Sequence, residues 1–279
     1  MERKKTMLGT CLDAVRQQSP LIHNITNYVT VNDVANIILA CGASPIMADD
    51  PEEVEEITAL CGGLNINIGT LNSRTITSME RAGRVANELK KAVLLDPVGT
   101  GASKLRTKTA LELMEKIHFD VIRGNMSEIR TLAGGSGNSR GVDASDVDAI
   151  TEQNLLEKAK FAADFSAQTG SIIVITGAVD LVTNGKNCYF IHNGRPEMQK
   201  ITGTGCQLSG LMTAFLAANP EKHFEAAAAA VCALGLAGQI AWNHMEPWDG
   251  NATYRNRIID AVSHMTGGIL EEGADYELR

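Results

Sequence analysis

The segment Thr202-Gly203-Thr204-Gly205-Cys206 follows an extended stretch and opens an apolar helix beginning near Gln207. Glycines let a backbone approach a ligand closely, and the first N–H groups of a helix have no intrahelical acceptor. Backed by the helix dipole, such donors favour an anion. Fixed in place, they also stabilise the charge of a phosphoryl group in transit, where losing one donor costs about 2.7–4 kcal/mol. Gly203, Thr204 and Gly205 are therefore candidate catalytic residues. A glycine-rich helix entry made for tight packing would use the same residues, and this segment alone does not separate the two. Cys206 shares the pocket, and a helix N-terminus should draw its thiol below the usual value of about 8.5. A partly ionised sulfur could take a proton from an alcohol. A nucleophilic cysteine needs an activating base, typically His, and none of the six histidines lies close in sequence.

Two further segments sit at the C-terminal ends of expected strands, where open α/β sheets bind their ligands. Asp96-Pro97-Val98-Gly99-Thr100-Gly101 places a carboxylate before a flexible turn. Arg123-Gly124-Asn125-Met126-Ser127-Glu128 brings a guanidinium, an amide and a carboxylate together. Mg²⁺ takes oxygen ligands and keeps several waters, so Asp96 and Glu128 suffice as candidates beside a nucleotide's phosphates. Taken singly, Asp96 also suits a turn and Glu128 the first turn of a helix. Thr176-Gly177 closes a third expected strand and contacts a nucleotide or merely turns the chain. Rival nucleotide motifs fail: no G-x-x-x-x-G-K-[ST] loop is present, and Gly203-Thr204-Gly205 does not complete a G-x-G-x-x-G fingerprint.

Positioning these groups requires a sheet. Short apolar runs at 44–47, 64–68, 92–95, 119–122 and 171–175 alternate with helical patterns at 27–41, 72–91, 104–117 and 151–169. That alternation predicts β-α units and a largely parallel sheet. The runs 180–183 and 187–192 flank Asn184-Gly185, which predicts an antiparallel hairpin edging the sheet. From Thr204 onward three apolar helical segments, broken near Asn219-Pro220 and Glu246-Pro247, should cover it. The Gly/Ser/Asn-rich stretch 134–141 reads as a mobile surface loop.

The 279 residues, 44% of them hydrophobic, make one substantial core, and one domain over 1–279 is expected. A net charge of −8 without a basic run argues against nucleic-acid partners. The most membrane-like stretch, 226–242, is Ala- and Gly-rich, contains Gln239 and reads as a buried helix. The N-terminus carries no secretory pattern, and Cys11, Cys41, Cys61, Cys188, Cys206 and Cys232 are widely spaced, so reduced thiols in a cytoplasmic protein are expected.

The runs Leu21-Ile22-His23-Asn24-Ile25-Thr26-Asn27-Tyr28-Val29 and Ala43-Ser44-Pro45-Ile46-Met47 belong with the segments above. In this order and spacing, together with Asp96 to Gly99, Arg123 to Glu128 and Gly203 to Cys206, the sequence resembles the hydroxyethylthiazole kinase family over residues 12–269. The resemblance implies a ribokinase-like α/β fold, with a central mostly parallel sheet, helices on both faces, and a C-terminal hairpin and helices. It implies transfer of the γ-phosphoryl of ATP, with Mg²⁺, to 4-methyl-5-(2-hydroxyethyl)thiazole, a salvage step toward thiamine. It implies a homotrimer with active sites between subunits. Met47 and Gly203 then look like thiazole contacts, with Asn27 as a further substrate candidate. Arg123, Thr176 and Gly177 look like ATP contacts, and Asn125 with Glu128 resembles an Asn-x-x-Glu element that organises Mg²⁺ and phosphate water. Asp96 would be a second acidic contributor. Cys206 stands where the wider class usually has an Asp base, so positioning and charge stabilisation should outweigh proton abstraction by a thiol. A hydroxymethylpyrimidine kinase, a non-catalytic ligand-binding homologue and a cysteine-dependent acyl-transfer enzyme are the alternatives.

Overall fold

The computed structural model describes residues 8–134 and 154–279. The chain begins with α1 (Gly9–Gln18), β1 (Leu21–Ile25), α2 (Val31–Cys41), β2 (Ser44–Met47), α3 (Val54–Leu60) and β3 (Gly63–Asn67). It continues through α4 (Ser73–Glu88), β4 (Ala92–Asp96), α5 (Lys104–Lys116), β5 (Val121–Asn125), α6 (Met126–Gly134), α7 (Leu155–Thr169) and β6 (Ile172–Thr176). The hairpin β7 (Asp180–Thr183) and β8 (Cys188–Ile191) comes next, then α8 (Thr204–Ala218), α9 (His223–Asn243), α10 (Asn251–His264), α11 (Gly267–Gly273) and β9 (Tyr276–Leu278).

The nine strands among the described residues form one sheet in the order β2-β1-β3-β4-β5-β6-β7-β8-β9. The first six are parallel, and β6 to β9 pair antiparallel. Side-chain alternation divides the core in two. Leu94, Val121 and Val174 face a layer containing Ile38 of α2, Phe215 of α8 and the Ala-rich middle of α9. Val93, Leu95, Ile122, Ile173 and Ile175 face Val54, Met79, Leu113, Ile129 and Phe165 on α3 to α7. Helices thus cover both faces, as crossovers between parallel strands require. Among the described residues α9 is the one helix long and apolar enough to cross a bilayer, and 78% of its apolar window is buried in the protein.

The apolar runs found β2 to β6, with the run at 119–122 starting later, at Val121, and continuing to Asn125. The helix expected from residue 27 starts at Val31 because Asn27 to Thr30 form the loop that closes the site. The predicted hairpin forms, with Thr183 opposite Cys188 and Gly185 at φ 84°. It does not edge the sheet, because β9 pairs with β8 outside it. β1 interrupts its apolar pattern with His23 and Asn24 and was not expected from the residue pattern. Both find partners only in the fold: His23 meets Thr58 Oγ1 at 2.8 Å and Ala48 O at 2.9 Å, and Asn24 accepts from Asn65 at 3.0 Å. The loop expected at 134–141 lies outside the described residues except for Gly134, which ends α6, and so do residues 151–153 of the expected helix.

Candidate active site

Parallel strands deliver their C-terminal ends to one rim of the sheet, and the functional side chains gather there. Asn27 follows β1, Asn67 ends β3, Asp96 ends β4, Arg123 and Asn125 lie in the last half of β5, and Thr176 ends β6. Opposite them α8 begins with Gly203 as its N-cap, and no side chain caps the helix. Gly203 has φ 89°, and a Cβ there would come within 2.4 Å of Thr30 Cγ2. At Gly205 a Cβ would lie 2.7 Å from Arg123 Nη1. Both glycines are therefore demanded by close approach, one to the β1–α2 loop and one to a guanidinium. Gly203, Thr204 and Gly205 are half-buried rather than sealed, so the start of the helix reaches an accessible rim.

Arg123 is buried and bridges two strands. Its Nη1 lies 3.5 Å from Asp96 Oδ1, its Nη2 donates to Thr176 Oγ1 at 2.9 Å, and its Nε has no protein partner. A guanidinium whose Nη1 and Nη2 lie against Gly205, beside an uncapped helix N-terminus, suits a phosphate. Thr176 is followed by the exposed Gly177, whose N–H donates to Asp180 Oδ1 at 2.8 Å. Burial pushes the Asp180 carboxyl up to about 7 against that hydrogen bond and the charge of Arg123.

Asp96 is wholly buried within donors: Asn67 Nδ2 at 2.7 Å and Ser209 Oγ at 2.8 Å, both to Oδ2. Burial pushes its carboxyl up to about 6; the charge of Glu128 adds to this, while Arg123, Ser209 and Asn67 pull the other way. A carboxylate so enclosed does not present an open edge to a hydrated ion. Glu128 does stand at the rim, half-buried, with Oε1 accepting from Gly99 N and Oε2 from Asn125 N, each at 2.8 Å. Asn125 Oδ1 returns the bond from Glu128 N at 2.9 Å, so the pair closes a capping box at the start of α6. Among the described residues no three His, Cys, Asp or Glu side chains converge to hold a metal ion. Glu128 alone is placed to meet Mg²⁺, an ion that can bind through a single carboxylate beside a nucleotide's phosphates and keeps its waters.

The Cys206 sulfur accepts from Asn27 Nδ2 at 3.0 Å and Asn67 Nδ2 at 3.3 Å. Its thiol is pushed above its ordinary value, first by burial and then by the charge of Asp96, against hydrogen bonds from Thr30 and Asn27 and the charge of Arg123. This corrects the expectation from its place at a helix start: enclosure and a neighbouring carboxylate outweigh the helix dipole.

Residues 12–267 match the Hydroxyethylthiazole kinase family. The chain belongs to this family. Hydroxyethylthiazole kinase of Clostridium acetobutylicum is 56% identical over 271 residues, covering 97% of this chain and 99% of the relative. The Desulfovibrio desulfuricans hydroxyethylthiazole kinase is 46% identical, covering 97% of this chain and 98% of its own. The structure of the Pyrococcus horikoshii hydroxyethylthiazole kinase superposes with TM-score 0.86 at 33% identity, covering 98% of each chain. Pyridoxal kinase of Staphylococcus aureus, solved with AMP-PCP and pyridoxal, shares the fold with TM-score 0.59 at 17% identity, covering 93% of this chain and 98% of its own. The chain is thus a kinase with a ribokinase-like fold.

The structure brings the sequence candidates Asn27, Asp96, Arg123, Asn125, Glu128, Thr176 and the Gly203 to Cys206 turn to one rim. The sequence reading missed Asn67 and Ser209. Ser209 lies three residues after Cys206 and so on the same helix face, and Asn67 is a polar residue closing an apolar strand; these were the available signals. Met47 stands apart, half-buried on the edge strand β2 opposite Asn24, beyond β1 from the cluster.

Proposed function

We propose that this protein, as one kinase domain, uses ATP to phosphorylate the hydroxyl of 4-methyl-5-(2-hydroxyethyl)thiazole in thiamine salvage. The uncapped start of α8, with Arg123 against Gly205 and the thiol of Cys206 beside it, carries this reading in a chain of this family. The amides of Thr204 and Gly205 receive the migrating phosphoryl group, and Arg123 neutralises charge on its oxygens. Thr176 and Gly177 hold the nucleotide, with Asn125 at the exposed edge. Gly203, Met47 and Asn27 shape the alcohol's side, and Cys206 takes the hydroxyl end. Glu128 would hold Mg²⁺ through water, and the ion would supply charge neutralisation for the phosphates; Asp96 serves as the fixed negative charge that orients Arg123.

The separation of Met47 from Cys206 supports a site shared between subunits, for which we propose a trimer. All four residues of β2 are partly exposed, and such an edge is commonly covered. Six free, buried cysteines suit a reducing compartment, the cytoplasm.

The test is coupled ADP release by the purified protein with ATP, Mg²⁺ and a panel of alcohols, with product mass measured. Rapid formation of thiazole phosphate is expected. Hydroxymethylpyrimidine turning over in its place would transfer the reading to a pyrimidine kinase, and ligand binding without ADP would leave a non-catalytic homologue.

A further inference from the structure

The orientation of two buried side-chain amides is fixed by backbone. Asn27 Oδ1 accepts from Thr30 N at 3.2 Å and from Thr30 Oγ1 at 3.0 Å. Asn67 Oδ1 accepts from Gly69 N at 2.9 Å. A backbone N–H can only donate, so each amide oxygen is pinned on that side and each NH₂ turns the opposite way. The four amide hydrogens are then fully used. Asn27 gives one to Asn67 Oδ1 at 3.1 Å and one to Cys206 Sγ at 3.0 Å. Asn67 gives one to Asp96 Oδ2 at 2.7 Å and one to the same sulfur at 3.3 Å. Both asparagines are buried, at 4% and 1% exposure, so water does not compete with these bonds.

Two N–H donors on one sulfur favour its ionised form relative to the same buried thiol without them, and so partly offset the burial and the Asp96 charge that hold the proton on it. A merely packed cysteine needs no donors and is satisfied by apolar neighbours. The charged groups that bear on this sulfur are Asp96, which opposes its ionisation, and Arg123, which favours it. The amides are thus the neutral counterweight to Asp96, and Asn67 touches both.

Resting on the kinase reading above, we propose that Asn27 and Asn67 form an amide cradle for the Cys206 sulfur and that Asn67 is a positioning residue for phosphoryl transfer. In its ionised fraction, which the cradle enlarges, the sulfur accepts the proton of the acceptor alcohol. As that O–H bond breaks and an S–H bond forms, the alcohol oxygen's electron pair bonds to the γ-phosphorus and the bond from phosphorus to the ADP oxygen breaks. The thiol returns its proton to solvent after the product leaves. Asn67 meets neither substrate in this scheme; it sets the sulfur's charge and place.

The experiment measures alkylation of Cys206 by iodoacetamide across pH, read by mass spectrometry on the Cys206 peptide, in the parent and in Asn67→Ala. Hydrogen bonds to the ionised form favour it, so their loss should move the alkylation midpoint upward, by about one pH unit. Asp96 stays ionised over the alkaline range used. In parallel, kcat for the thiazole alcohol should fall about tenfold or more while KM for ATP stays within about twofold. An unmoved midpoint together with an unmoved kcat overturns the proposal. If Asn67→Ala does not fold, Asn27→Ala, which leaves Asp96 its Asn67 bond, must show the same upward midpoint; an unmoved midpoint there overturns it equally. Alkylation needs no turnover, so a shifted midpoint in a protein that fails to make thiazole phosphate supports the cradle and removes the substrate assignment instead.

Discussion

Single residues at this rim are tuned by enclosure. Asp96, Asp180 and Cys206 all carry acid groups whose burial favours the neutral form, offset in each case by hydrogen bonds and by Arg123. Burial raises the Asp180 carboxyl to about 7, against 3.8 for an exposed aspartate. Between those values the folded state holds a proton that the unfolded chain releases, so the stability Asp180 contributes is greatest below that window and is lost as pH rises through it. Asp180→Asn keeps an acceptor for the Gly177 N–H at every pH. Its Tm should match the parent near pH 4 and exceed it by about 4 °C at pH 8. A Tm difference that stays level across this range in scanning calorimetry would show that Asp180 is not a buried acid of raised affinity for protons.

Elements act here through their ends. The parallel strands set Asn67 level with Asp96, and Asn125 level with Thr176 two residues further along, and the start of α8 is set against this rim with no side chain capping it. The helix can come that close because Gly205 has no side chain to meet Arg123. Gly205→Ala therefore tests the element rather than the residue. The added methyl must displace the guanidinium, and kcat is expected to fall on the order of a hundredfold, with the melting temperature little changed. Steady-state kinetics with the thiazole alcohol checks this, and a variant with parental kcat would place phosphate binding elsewhere. The same element explains why the Cys206 to Thr213 face carries polar groups in an otherwise apolar helix: Ser209 serves Asp96, and Thr213 Oγ1 returns to Ser209 O at 2.8 Å.

At the scale of the whole molecule, the sheet has two unequal edges. β9, three residues long and largely exposed, forms one, and β2, four residues all partly exposed, forms the other, with Met47 on it. An assembly that closes this edge would bring Met47 of one subunit to the Cys206 turn of the next. Met47→Asp and Cys206→Ala should each be nearly inactive alone. Refolded together, a ring with shared sites recovers activity at about a quarter of its sites by random assortment. No recovery, in a protein sedimenting as three chains of 29.8 kDa, would place each site within one subunit.

The amino-acid sequence by itself determined the layered α/β architecture, because strands and crossover helices impose different apolar periods that tertiary contacts need not supply. It also determined the Gly203 to Cys206 turn, Asp96, Arg123 and Glu128 as site candidates, because glycines and charges at strand and helix ends have few uses. β1 was not legible in the residue pattern, since His23 and Asn24 are satisfied by Thr58, Ala48 and Asn65 from other elements. Only the tertiary structure decided that Asp96 is enclosed while Glu128 stands at the rim, and that Asn67 and Ser209 belong to the site. It alone reversed the expected direction for the Cys206 thiol. Proton affinity depends on which charges and dipoles surround a group in space, and Asn27, Asn67 and Asp96 reach Cys206 from distant parts of the chain.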